Sequence, residues 1–533
     1  MAGSRHSRLT HEPDWIWVSM AALSVLSLAS TGADANLTES PVAASEPEFQ
    51  ARDFHLTGPG LAPRDVTLPC RYFTVQIQSS WGGWNSLRVR RDQLHVTISG
   101  TPWDGPQRVI PVRTDVLNGP EGQATVWIVR YKLFSTLRDL SIHVRYGSDH
   151  VSGSPRLIPG PIQPSHCVCP STDLDTWLDR QSCPVSDHTQ ILADLAPFPQ
   201  IDMVQALSEA RSRFGNPRAQ SFCHYVVLNS NIFRQCYGEH VGFHMFPDAF
   251  LIFLTSVTRL PDLEFLINLG DWPLSRLSPS VKPLPIISWC KTPDFADILL
   301  PTYEITEASL ECMGRQMLDM LSLQENSQVP WNQKIEQAFF RGRDSRKERL
   351  DLIRLAANHS DIMDVGITRY FFFRDQEVVL GTKESISMFD FFKYKYQISL
   401  DGTVAAYRLP YLLAGGSLIF KQDSDYMEHF YSSLKPWIHY VPIRADLSDL
   451  VDKIHWAKNH DEEAHNIAVN GRRFAQEHLL PQHVLCYHGS LFQEVARRLV
   501  QRPQVLEGME KVDNERNKQP RGACHCSSEK DEL

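Results

Sequence analysis

Between Phe54 and Pro155 apolar and polar residues alternate with a period of two. Tyr72–Gln76, Leu94–Ile98, Val126–Tyr131 and Leu140–Val144 each place apolar side chains on one face, the pattern of a half-buried strand. Clusters such as Gly82-Gly83, Asp104-Gly105-Pro106 and Asn118-Gly119-Pro120 separate them. About seven short strands in roughly 100 residues predict an immunoglobulin-like sandwich, assigned to 50–158. The proline-bearing stretch from Leu157 to Ser165 reads as a short stiff linker, placed at 159–170. From 171 to 500 the period changes, and helical stretches alternate with short apolar runs. The predicted strands are Phe265–Leu269, Leu284–Trp289, Ala338–Phe340, Tyr370–Phe373, Gln397–Leu400, Ser417–Phe420 and Tyr440–Ile443. The predicted helices are Arg346–Asn358, Leu447–Asn459 and Asp461–His478. Such alternation predicts an α/β unit with parallel sheets, long enough for two Rossmann-like halves around a cleft.

Composition narrows the function classes. The 533 residues are 42% apolar and 22% charged, with 53 Lys+Arg against 62 Asp+Glu and a net charge of −9. A mildly acidic chain lacks the basic surface that general nucleic-acid binding requires. Away from the N-terminus no apolar run is long enough to span a membrane.

Both ends carry addressing signals. Arg5 and Arg8 precede the apolar run Ile16–Ala29, and Ala33-Asp34-Ala35 fits a cleavage site. Residues 1–35 therefore read as a signal peptide. Lys530-Asp531-Glu532-Leu533 is the endoplasmic-reticulum retrieval tetrapeptide, carried on a charged tail over 501–533. A lumenal chain makes Asn36-Leu37-Thr38 and Asn358-His359-Ser360 glycosylation candidates and permits disulfides. Eleven cysteines leave at least one unpaired. Cys167, Cys169 and Cys183 cluster before the α/β unit and Cys486 lies near its end, so one bridge can tie its start to its finish. Cys223 and Cys236 form a second candidate pair, while Cys290 and Cys312 read as buried thiols and Cys524-His525-Cys526 as a short exposed motif.

Three segments carry candidate chemistry. In Asn268-Leu269-Gly270-Asp271-Trp272-Pro273 an acid follows an apolar strand. Asp271 is either a general base at the carboxyl end of a parallel strand or an Asx-turn residue closing that strand. In Arg341-Gly342-Arg343-Asp344-Ser345-Arg346-Lys347-Glu348-Arg349 a strand leads into a helix, with Ser345 and Glu348 as a capping box. Arg343 and Arg349 beside a helix N-terminus suit a diphosphate, or else mark a solvated basic helix start. In Asp401-Gly402-Thr403-Val404-Ala405-Ala406-Tyr407-Arg408, Thr403 reads as an N-cap, Ala405 and Ala406 allow close approach, and Arg408 reaches the same anion. Pro410 requires a kink or a restarted helix. Glu428, after the next strand, fits a ribose hydroxyl. Asp423-x-Asp425 reads as a solvated turn, and no histidine spacing marks a metal site. The aromatic runs Tyr370–Phe373 and Phe389–Phe392 read as core.

These motifs, together with Lys421-Gln422-Asp423-Ser424 and the closing tetrapeptide, resemble the KDEL-containing protein O-glucosyltransferases, whose catalytic domain is of the CAP10-like, glycosyltransferase family 90 type. Gly58-Pro59-Gly60-Leu61 and Tyr146-Gly147 with Gly153-Ser154-Pro155 resemble a filamin-type repeat. The resemblance implies a GT-B-like fold and inverting, metal-independent transfer from UDP-glucose, with no cofactor. The implied acceptor is a serine of EGF-like repeats, as in Notch-type receptors and fibrillins, and the tail implies a KDEL receptor. Carried over, Asp271 is the base, Arg343, Arg349 and Thr403–Arg408 hold UDP, and Met245-Phe246-Pro247-Asp248 meets the acceptor. A UDP-xylose transferase and a non-catalytic lumenal client-binding protein are the competing readings.

Overall fold

The structure is a computed structural model. It describes residues 49–512 except 64–70, 78–89, 105–106, 119–125, 165–166, 168–169, 171, 184, 217, 219–220, 240 and 311–328. Asn36, Cys169, Cys312, the cysteines of the tail and Lys530–Leu533 lie outside the described residues.

The N-terminal β-rich region is a sandwich of two antiparallel sheets. Strands Phe54–Thr57, Arg71–Ile77, Val126–Lys132 and Arg113–Asn118 form one sheet in that order. The other is built on Leu94–Pro102 paired with Leu137–Tyr146. Alternation decides the core, since Phe73, Val75 and Ile77 meet Leu140, Ile142 and Val144 in one apolar cluster. Arg156–Ile162 pairs with Leu137–Tyr146, so the proline-bearing stretch expected to be a linker is the sandwich's last strand. Pro159 and Pro161 are tolerated there because an edge strand need not donate on both sides. Tyr72 and Ile128 turn outward from this sandwich into the core of the α/β region.

The α/β region contains two main sheets and a two-stranded parallel pair, Thr172–Asp173 with Thr258–Arg259. The first uses β1 (Phe222–Leu228), β2 (Asn231–Tyr237), β3 (Leu263–Asn268), β4 (Ile286–Ser288) and β5 (Ile298–Leu299), with helices α1 (Met245–Val257) and α2 (Tyr303–Leu310). The second uses β6 (Ile335–Arg343), β7 (Met363–Arg369), β8 (Tyr394–Ser399), β9 (Leu418–Gln422) and β10 (Val441–Ile443), in the order β7-β6-β8-β9-β10. Helices α3 (Lys347–Ala357) and α4 (Leu409–Ala414) connect its strands, and α5 (Leu450–Asn459), α6 (Asp461–His478) and α7 (Pro481–Ala496) follow it. The second sheet is parallel throughout, as the strand–helix alternation predicts.

The first sheet is mixed, which corrects the expectation of parallel pairing. β3, β4 and β5 are parallel, but β1 pairs antiparallel with both β2 and β3. The cause is local: Asn229 and Ser230 both take positive φ and close a two-residue hairpin. Cys223 and Cys236 face each other across that hairpin and are bridged. Cys183 is bridged to Cys486 on α7, so one of the open pairings is realised, and Cys167 is also disulfide-bonded. α7 brings the end of the chain back onto the first sheet, with the Phe492 ring 5.1 Å from Phe265 on β3.

Two other expectations fail for nameable reasons. Tyr370–Phe373 is not a strand and only half of it is core: the strand ends at Arg369, Tyr370 is buried and Phe373 packs against the core, while Phe371 and Phe372 are 41% and 62% exposed. The three N–H groups of Phe371, Phe372 and Phe373 donate instead to the buried Asp344 carboxylate, at 2.8, 2.8 and 2.6 Å. Ser345 and Glu348 make no capping box, because α3 begins one residue later with Arg346 as its N-cap and no side-chain cap. The Ser345 hydroxyl accepts from Arg349 at 3.4 Å.

Candidate active site

A cavity of about 460 Å³ opens where the carboxyl ends of the two sheets meet. Asp271, Tyr303 and Glu304 line it from the first half, while Arg343, Arg349, Gly402 to Arg408 and Tyr411 line it from the second.

Asp271 reaches the cavity because Asn268 closes the strand. Asn268 Oδ1 accepts from the Gly270 N–H at 2.9 Å, and its Nδ2 donates to the Trp272 carbonyl at 2.7 Å. The turn reading therefore belongs to Asn268, and the Asp271 carboxylate is left free of that duty. The far side of this loop is anchored by buried Asp297, which accepts from Leu274 N at 2.8 Å and Ser275 N at 2.7 Å. Tyr303 Oη, at the start of α2, donates to Asp271 Oδ1 at 3.4 Å. Behind the loop the Cys290 thiol donates to the Asp271 carbonyl at 3.4 Å, and Tyr407 donates to Cys290 at 3.3 Å. Burial raises the Asp271 carboxyl above the usual carboxylate range, and the Tyr303 hydrogen bond opposes that rise. The carboxylate can accept a proton from a hydroxyl group brought into the cavity.

On the second half, Gly342 ends β6 where there is no room for a side chain. A Cβ there would stand 2.8 Å from the Phe340 ring and 3.2 Å from Arg408 Nη2. Arg343 is exposed to the cavity, its guanidinium 5.4 Å over the Phe371 ring. Arg349 is 4% exposed, and its guanidinium donates to the carbonyls of Asp401 at 2.7 Å, Leu400 at 3.0 Å and Arg343 at 3.1 Å. Burial, with Arg408 nearby, pushes it down to about 9, so it stays charged at neutral pH. Arg349 therefore clips the Arg343 loop to the Asp401 loop while keeping a positive charge at the cavity wall. Thr403 is not an N-cap: 401–408 is a turn-rich loop, and the helix restarts at Leu409 with Pro410 in its first turn. The loop still brings Thr403, Val404, Ala405, Ala406, Tyr407 and Arg408 to the cavity. Arg408 donates to the Arg341 carbonyl, which binds the loop to β6. The cavity is thus lined by Arg341, Arg343, Arg349 and Arg408 on one wall and by Asp271 and Glu304 on another, a set suited to a diphosphate leaving group and a hydroxyl acceptor.

Two of the assigned sites lie away from this cavity. Glu428 is buried and does not line the cavity. It accepts from Tyr431 Oη at 3.0 Å, and burial pushes its carboxyl up to about 8. A carboxyl raised in the folded state holds its proton while the unfolded chain has lost it. Stability therefore falls as pH rises from the ordinary glutamate range to about 8. Glu428→Gln removes this dependence, so its melting temperature relative to wild type is expected to be higher at pH 8 than at pH 5.

Met245, Phe246, Pro247 and Asp248 begin α1, and none of them lines the cavity. Asp248 is engaged inside the fold by Tyr225 at 2.7 Å, His244 at 3.0 Å and Arg234. The segment supports Tyr303 instead, with the Phe246 ring 5.6 Å from it.

The sequence reading missed Tyr303, Asp297 and Asp344. Asp297 and Asp344 are fully buried acids next to apolar runs, a mismatch with ordinary burial that marks them. Tyr303 carries no comparable signal. Among the described residues, no group of three or more His, Cys, Asp or Glu is arranged to hold a metal ion. Nor is any described helix long and apolar enough to cross a membrane.

Comparison with known proteins adds the family. Residues 179–530 match the glycosyl transferase family 90 profile. The chain belongs to glycosyl transferase family 90. Family membership makes it a glycosyltransferase, and the cavity described above lies within the matched residues. It is 44% identical over 479 residues to Protein O-glucosyltransferase 2 of Danio rerio, covering 89% of this chain and 93% of that protein. It is 43% identical over 492 residues to Protein O-glucosyltransferase 3 of Homo sapiens, covering 91% and 95%. Identity to Protein O-glucosyltransferase 1 of Homo sapiens is 29% over 333 residues, covering 58% and 80%. These family 90 relatives act on proteins. The crystal structure of the Lin-41 filamin domain aligns with 20% of this chain and 92% of its own at 12% identity, with a TM-score of 0.14, too small a likeness to define the fold.

Proposed function

We propose that this family 90 chain transfers glucose from UDP-glucose to a serine hydroxyl of EGF-like repeats, as in Notch-type receptors and fibrillins. The observation that carries this reading is that Asp271 shares one cavity with Arg343, Arg349 and Arg408. In the proposed reaction Asp271 takes the serine proton while the serine oxygen attacks the sugar anomeric carbon from the face opposite UDP. The bond from that carbon to the diphosphate oxygen breaks, and UDP leaves with the electron pair, giving inversion. Arg343, Arg349 and Arg408 meet the growing charge on the diphosphate, with Thr403–Tyr407 against the donor. With guanidinium groups in that role, the reaction is proposed to run without a metal or cofactor. The two sheets would be the halves of a GT-B-like domain, and the sandwich a filamin-type module.

Location in the endoplasmic-reticulum lumen is part of the proposal. It is supported by the leader and Lys530–Leu533 in the sequence, by the Cys183–Cys486 and Cys223–Cys236 disulfides, and by Asn358 lying exposed at the end of α3. The test is incubation with a folded EGF-like repeat and a panel of UDP-sugars, read by mass spectrometry. A hexose increment on serine is expected. A pentose increment would assign UDP-xylose, and no increment would favour a client-binding protein.

A further inference from the structure

We infer that Tyr303 is a positioning residue for Asp271: its hydroxyl holds Oδ1 and thereby leaves Oδ2 to face the acceptor hydroxyl. This rests on the proposed role of Asp271 as base.

A carboxylate has two equivalent oxygens and rotates about χ2 unless something fixes it. Among the described residues Asp271 receives one side-chain hydrogen bond, from Tyr303 Oη at 3.4 Å. Tyr303 in turn has little freedom. Its ring is held edge-on by Trp289 at 5.8 Å, Tyr407 at 5.3 Å and Phe243 at 5.0 Å, and it is tilted against Phe246 at 5.6 Å. Four aromatic rings from three segments thus aim one hydroxyl at one oxygen. Apolar packing alone would be met by phenylalanine at this position, so the hydroxyl is the part that packing does not explain.

The hydroxyl also acts on proton affinity. A donor to the carboxylate favours its charged form and opposes the rise caused by burial. The other titratable groups around Asp271 are Cys290 and Tyr407 behind the loop, and Glu304, Arg341, Arg343, Arg349, Arg408 and Tyr411 on the cavity wall. Tyr303→Phe leaves all of these in place. Deleting the hydroxyl should therefore raise the Asp271 carboxyl further, and the acidic limb of activity should move to higher pH.

The experiment compares wild type, Tyr303→Phe and Asp271→Asn as full chains with a folded EGF-like repeat and UDP-glucose. It records kcat/KM from pH 4 to pH 8, and UDP affinity by calorimetry. Tyr303→Phe is expected to shift the acidic limb upward by about 0.5–1 pH unit. It should also lower kcat at neutral pH by about tenfold while UDP affinity stays within about twofold, since donor binding does not use this bond. An unmoved acidic limb in Tyr303→Phe, with Asp271→Asn inactive, overturns the inference and leaves the base assignment standing. Transfer retained by Asp271→Asn overturns both. If Tyr303→Phe fails to fold, Phe243→Leu, which loosens one wall of the aromatic box and keeps the hydroxyl, should lower kcat and move the limb upward in the same direction by a smaller amount. An unmoved limb together with an unchanged kcat in that variant would overturn the inference.

Discussion

Asp271→Asn is expected to lower kcat for sugar transfer by about 10²–10⁴-fold, with an unchanged melting temperature and unchanged UDP affinity. The substitution is nearly isosteric. Asparagine can still accept through Oδ1 from Tyr303, and the turn that presents residue 271 is held by Asn268 and Asp297 rather than by Asp271 itself. Only the capacity to take a proton is removed. The measurement is single-turnover transfer to an EGF-like repeat beside thermal unfolding and UDP calorimetry. Transfer at the wild-type rate would show that the base lies elsewhere. Loss of UDP binding would show that residue 271 serves the donor. For the unmodified protein, the raised Asp271 carboxyl predicts an acidic limb of kcat/KM above the usual aspartate range, with activity lost as pH falls through it.

Arg349→Met is expected to cost about 3–5 kcal/mol of stability and to weaken UDP binding severely. The methionine stem can follow the arginine stem, but the three carbonyls of Asp401, Leu400 and Arg343 lose the guanidinium that satisfies them. Buried carbonyls without partners are costly, and the loops they belong to are the two that carry the other arginines of the cavity. Arg349→Lys should recover little, because a single ammonium cannot span the donors of a planar fork. Arg343→Ala is the contrasting case. Arg343 is exposed, so its loss should leave urea unfolding nearly unchanged while reducing UDP affinity by about 10–100-fold. Equal stability losses in the two variants would remove the distinction between the clip and the ligand-facing arginine.

Much of the architecture was legible before any coordinates. Period-two alternation marked the sandwich strands, and β6, β8, β9 and β10 of the second sheet followed from apolar runs separated by helical stretches, while β7 was missed. Asp461–His478 matches its predicted bounds, because an amphipathic helix with three acids in its first turn announces both face and start. The failures came where polar side chains acted at a distance. Asp344 holds the Phe371–Phe373 backbone out of the strand and leaves Phe371 and Phe372 exposed, and Arg349 takes the Ser345 hydroxyl from its expected cap. The hairpin at Asn229-Ser230 carries a local signal that the strand–helix alternation does not contain, since asparagine tolerates positive φ.

The same division holds at the candidate site. By itself the sequence determined the chemical parts: a carboxylate after a strand, arginines after another, and a small-residue loop after a third, because strand ends, glycine turns and charge are local properties. It also determined the family resemblance, since motifs are read from residues in order. Tertiary structure alone decided which parts share a cavity and what each guanidinium is free to do. It turned Arg349 inward onto carbonyls, left Arg343 exposed at the cavity, removed Glu428 and Asp248 to internal hydrogen bonds, and brought Tyr303 to Asp271. Those outcomes depend on distances between segments far apart in the chain, and a side chain's role is set by whichever partner the fold delivers within hydrogen-bond reach.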